Sequence, residues 1–93
     1  MQTQKGAIIL AQEKPFYMTS IKISLTLAES VKDFVNIVSR YPYNIDLRSG
    51  RFVIDAKSLL GIFSLDLSKP LVLEIHSEEC EPLVKDLAKY IVE

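Results

Sequence analysis

Between Ser20 and Leu27 the side chains alternate, with Ile21, Ile23, Leu25 and Leu27 on one side and Ser20, Lys22, Ser24 and Thr26 on the other. A period of two predicts a strand with one buried face. The period then changes. Val31, Phe34, Val35, Val38 and Tyr41 recur at three- and four-residue intervals, which predicts a helix over 28–40 whose apolar stripe covers that strand. Ser30 and Asp33 resemble a capping box with a shortened acid, so the helix entry is expected between Ala28 and Ser30. The run Tyr41-Pro42-Tyr43-Asn44 ends the helix, because proline disfavours helical geometry at the residue before it.

A hairpin follows. Ile45 and Leu47 alternate with Asp46 and Arg48, Ser49 and Gly50 are expected to turn the chain, and Phe52 and Ile54 alternate with Val53 and Asp55 on the return. Over 56–65, Leu59, Leu60 and Phe63 cluster at helical spacing. Gly61 inside that short helix lowers propensity by about 1 kcal/mol relative to alanine, so it is expected to serve a close backbone contact. Leu71 to Ile75 reads as a strand entered from Pro70. The last element reads as a helix: Glu78, Glu79 and Glu81 favour its N-terminus, Pro82 suits its first turn, and Leu83, Val84, Leu87, Ala88 and Ile91 form the expected buried stripe. The predicted order is strand, helix, strand, strand, helix, strand, helix. No internal repeat interrupts it.

Composition narrows the function classes. Ninety-three residues, 48% of them hydrophobic, suffice for one compact core. Eleven basic and twelve acidic side chains provide no broad field for nucleic acid or an anionic membrane, so neither is expected as a partner. One cysteine, Cys80, makes no intrachain disulfide; a reducing cytoplasm is the expected compartment, and the sequence gives no metal-ligand spacing and implies no cofactor. The apolar run Ala7–Ala11 is far shorter than the roughly 20 residues that span a bilayer, and its flanks lack the order of a signal peptide.

One segment is specific. Lys57, Ser58, Leu59, Leu60, Gly61, Ile62, Phe63, Ser64 and Leu65, within the stretch Ala56–Pro70, resemble the regulatory-serine segment of HPr, the histidine phosphocarrier of the bacterial sugar phosphotransferase system. The hairpin before it and the Tyr41 region align without gaps, whereas the stretch from Ser68 to Ser77 is shorter than in the carriers. The resemblance implies an α+β open-faced sandwich, a four-stranded antiparallel sheet with three helices on one face in the order βαββαβα. It starts near Thr19, which divides the chain into an N-terminal extension or leader over 1–18 and an HPr-like domain over 19–93. Met18 would be a natural start for that domain, and what precedes it reads equally as a leader, a cloning remnant or a native extension.

The same alignment places the family's His-Ala-Arg-Pro active-site run on Leu27, Ala28, Glu29 and Ser30, of which only the alanine matches. A phosphocarrier needs an imidazole nitrogen that takes a phosphoryl group and releases it near neutral pH; leucine offers none. Glu29, in the arginine's place, reverses the sign of the anion site, although it also complements a helix N-terminus. His76, the sole histidine, falls at the far end of the fourth strand and reads as a solvated strand-end residue rather than a substitute. Cys80, near three glutamates, reads as an ordinary thiol.

No catalytic residue is therefore expected, and the chain is not expected to be an enzyme. By resemblance, Ser58 is the candidate regulatory phosphorylation site, modified in Gram-positive relatives by the HPr kinase to create a surface for a transcriptional repressor; Leu59, Leu60 and Phe63 are the matching partner-binding patch. A serine that opens a helix is also commonly only a cap, and three apolar residues on a short helix are also commonly core. The implied partners are proteins of the phosphotransferase system, HPr kinase or a transcriptional regulator. Two roles remain open: a regulatory or scaffold relative of HPr in the bacterial cytoplasm, or a protein-binding module on this fold unrelated to sugar transport.

Overall fold

The computed structural model describes residues 18–93. The readings of Ala7–Ala11 and of a leader before Met18 lie outside these residues. The elements are β1 (Met18–Ile23), α1 (Ala28–Val38), β2 (Ile45–Ser49), β3 (Phe52–Asp55), α2 (Leu59–Phe63), β4 (Leu71–His76) and α3 (Glu81–Asp86), followed by a 3-10 turn over Ala88–Tyr90. The four strands form one sheet in the order β1-β4-β2-β3, antiparallel throughout. Ile23, Ile45, Leu47, Leu71, Leu73 and Ile75 line its covered face, and Val31, Phe34, Val38, Ile62, Leu83 and Leu87 close over them from the helices. The expected α+β sandwich is the observed one.

Several boundaries differ, each for a local reason. The first strand ends at Ile23 rather than Leu27, because Leu71, just after Pro70, is the last residue of β4 that can pair with it. Ser24 N–H instead donates to the Tyr90 carbonyl at 2.8 Å. Ser30 and Asp33 form no capping box: α1 begins at Ala28 with Leu27 as its N-cap and no side-chain cap, and Asp33 serves Tyr90 and Lys89 instead. The hairpin turns at Gly50 and Arg51, one residue later than expected, since Ser49 still pairs with Phe52. Gly50 has φ +59°, a left-handed value that a two-residue hairpin turn requires and glycine adopts without strain.

The expected long final helix stops at Asp86, leaving Ala88 exposed. After the 3-10 turn Ile91 is extended and bridges Ile23, and Val92 N–H donates to the Lys22 carbonyl at 2.9 Å. Strand-like bonding to β1 has replaced the last helical turn. Tyr90 is buried there, edge to face on Phe34 with ring centroids 6.5 Å apart.

Candidate functional site

Leu27 has extended backbone (φ −110°, ψ 145°) and its carbonyl accepts the Val31 N–H at 3.1 Å, so it stands at the mouth of α1. The alternation in β1 groups it with the buried residues Ile23 and Leu25, yet it is 61% exposed, as the N-cap at which the chain turns into α1. Ala28 and Glu29 beside it are exposed too. An aliphatic side chain and a carboxylate thus frame this helix entrance, with no imidazole or guanidinium among Leu27, Ala28, Glu29 and Ser30.

α2 is anchored from both sides. Asp55 accepts the Ser58 N–H on its carbonyl at 3.0 Å and the Lys57 N–H on its side chain at 2.9 Å, which turns the chain out of β3. Ser58 is then the N-cap, its Oγ accepting the Gly61 N–H at 3.1 Å. Gly61 is where glycine is needed for space: a Cβ there would lie 3.0 Å from Ser58 Oγ and 3.2 Å from Ile54 Cδ1. The close approach is present, but to the side chains of Ser58 and Ile54 rather than to backbone.

The apolar residues of α2 divide. Ile62, which the sequence reading passed over, is fully buried and fastens the helix to the core. Leu59 is half-buried, Leu60 is 82% exposed and Phe63 43% exposed. Helical spacing grouped Leu59, Leu60 and Phe63 without saying which way they face. With Ile62 pointing in, Leu60 must point out.

Sequence reasoning also missed Lys57 as an anchor. Its Nζ donates to the carbonyl oxygens of Tyr41 at 2.6 Å and Tyr43 at 3.0 Å, binding the turn after α1 to the entrance of α2. No local pattern signals this, because the acceptors are main-chain atoms 14 and 16 residues upstream.

His76 lies where the reading put it, at the last position of β4. It pairs with Met18, whereas Leu71 pairs with Ile23, so it is at the opposite end of β1 from Leu27. Five residue steps separate the two ends, roughly 17 Å at strand rise. His76 does not stand at the α1 mouth. Cys80 is buried, and its Sγ contacts Thr19 Oγ1 at 3.4 Å.

The crystal structure of a phosphocarrier protein HPr from Bacillus anthracis str. Ames superposes with a TM-score of 0.64, covering 81% of this chain and 98% of that one at 23% identity. That of HPr-C-His from Thermoanaerobacter tengcongensis gives 0.63, over 77% of this chain and 86% of that one at 25% identity. The chain has an HPr-like fold. No family model matches the sequence, and no curated protein matches it significantly. An HPr-like architecture is thus present where sequence likeness is low, as expected when a core is specified by its apolar pattern and not by particular residues. Among the described residues, no helix is long and apolar enough to cross a membrane.

Proposed function

We propose that this HPr-like protein is a regulatory or scaffold relative of the phosphocarriers, docking proteins of the bacterial phosphotransferase system, its HPr kinase or a transcriptional regulator in the cytoplasm. It is not itself a carrier or an enzyme. The observation that carries this reading is the exposure of Leu60 and Phe63 one turn from Ser58, an apolar surface that water disfavours and a partner would cover. Leu27 and Glu29 at the mouth of α1 support the second half of the proposal, since they offer neither an imidazole to carry a phosphoryl group nor a cation to hold it. Ser58 would act as the switch, phosphorylation adding close to two negative charges beside the patch.

Incubation of the full chain with HPr kinase and ATP, read by intact mass, tests the switch. A single added phosphate that disappears in Ser58→Ala supports it; an unchanged mass removes it. A second reading, a binding module outside sugar transport over 19–93, is favoured by the engagement of Ser58 Oγ as a cap. Phosphotransferase proteins bound by wild type and released by Leu60→Asp distinguish the first reading from the second.

A further inference from the structure

The face of the sheet opposite the helices holds a cluster apart from Ser58 and the α2 patch. Asp46, in the interior strand β2, is paired on one side with Glu74 of β4 and on the other with Asp55 of β3. Three carboxylates in one cross-strand row repel each other. Glu74 is only 9% exposed, which raises the cost of that repulsion. Two cationic or ionisable groups lie diagonally: Arg48, with Nε 3.0 Å from Glu74 Oε2 and Nη2 3.3 Å from Oε1, and His76, with Nε2 3.0 Å from Asp46 Oδ2. Among the described residues, Asp46, Glu74 and His76 form a group in which one ligand atom of each lies within 4.8 Å of the others. A cavity of 480 Å³ opens beside them, bounded by Asn44, Ile45, Asp46, Asp55, Lys57 and His76.

We infer that Asp46, Glu74 and His76 bind a late first-row divalent cation, with Zn²⁺ as its natural occupant. One imidazole and two carboxylates are donors that zinc accepts, and three protein ligands leave a fourth position for water or a small anion, with Asp46 and His76 lining the adjacent cavity. Tetrahedral ligands at about 2.0 to 2.2 Å from a metal are roughly 3.4 Å apart, so His76 Nε2 and Asp46 Oδ2 need almost no movement. Glu74 supplies the third atom by turning Oε1 from its longer contact with Arg48 while Oε2 keeps the shorter one. Arg48 then orients the ligating carboxylate from behind. The ligands stand on two adjacent strands in the interior of the sheet, which fixes their spacing better than loops would. Lys57, the other cation at the cavity, has its ammonium engaged by the Tyr41 and Tyr43 carbonyls. Spacing along the chain could not show this site, because Asp46 is 30 residues from His76 and only the register joins them.

The inference is independent of the docking surface and is tested without it. Untagged full-length protein is titrated with zinc chloride by calorimetry, with the His76 imidazole followed by NMR. One Zn²⁺ per chain is expected, with a shifted imidazole signal. His76→Ala and Asp46→Asn, both at partly exposed positions, should each weaken binding at least about ten-fold. Cys80→Ser should leave it unchanged. No saturable binding, binding indifferent to His76→Ala, or binding lost with Cys80→Ser would each overturn the assignment.

Discussion

Lys57 holds the carbonyl oxygen of Tyr41 at 2.6 Å, across a gap of 16 residues. The basic residue that precedes Ser58 is thus a clamp in this protein, satisfying two carbonyls of the turn that follows α1. Lys57→Met keeps most of the stem's packing and removes both charged hydrogen bonds. We expect a loss of about 1.5 to 3 kcal/mol in urea denaturation. A loss below a few tenths would show that water replaces the ammonium without penalty.

Ser58 separates capping from regulation. Ser58→Ala removes the acceptor for Gly61 N–H and should cost about 1 kcal/mol. Aspartate caps as well as serine, so Ser58→Asp should keep stability within about 0.5 kcal/mol of wild type. Chemical denaturation of the three proteins checks the order. A large loss with aspartate would indicate that added charge is not tolerated at this turn, which counts against a phosphoserine.

Gly61→Ala ought to stabilise a helix by about 1 kcal/mol on propensity alone. Here the new methyl would press on Ser58 Oγ and Ile54 Cδ1, and displacing Oγ spoils the cap. The net change in wild type should be neutral to destabilising. In a Ser58→Ala background the hydroxyl is gone and the same substitution should be more favourable, by about 0.5 to 1 kcal/mol in a double-mutant cycle. Additivity of the two changes would refute the proposed contact.

Tyr90 donates a hydrogen bond to Asp33, which Lys89 also meets at 3.0 Å. The Tyr90 hydroxyl is the foremost reason that the Asp33 carboxyl sits below its usual 3.8, while burial first and this bond second push the Tyr90 phenol above 10.0. A lowered carboxyl contributes stability that is present above 3.8 and is lost as pH falls through its folded value. A raised phenol contributes stability that is present below 10.0 and is lost as pH rises through its folded value. Wild type should therefore exceed Tyr90→Phe most between these limits, the margin narrowing at both ends. Paired urea titrations from acid to alkaline pH check it; a margin independent of pH would contradict it.

Much of the architecture was legible because burial imposes a period. The alternations in β1 and β2 and the stripe of α1 identified Ile23, Ile45, Leu47, Val31, Phe34 and Val38, all buried. Legibility failed where a residue's surroundings are distant in sequence. Phe52 reads like a core strand residue but is 70% exposed, since β3 lies at one side of the sheet. Ile91 continues a helical spacing yet is extended, because the end of β1 offers its backbone a partner 68 residues earlier. Of the candidate surface, Ser58 as a cap and Gly61 as a close approach were readable from local geometry. The outward face of Leu60, the grip of Lys57 and the meeting of Asp46 with His76 depend on tertiary structure.

The bridge from Ile23 to Ile91 also bears on the order of assembly. The two-residue turn at Gly50 and Arg51 lets β2 and β3 find each other early, in the microsecond range of isolated hairpins. β1 must wait for β4, some fifty residues later in synthesis, and its Ile23 end for Ile91 after that. A nascent chain should accordingly carry β1 without its β4 partner until Leu71–His76 has been synthesised, an interval that favours chaperone capture or mispairing.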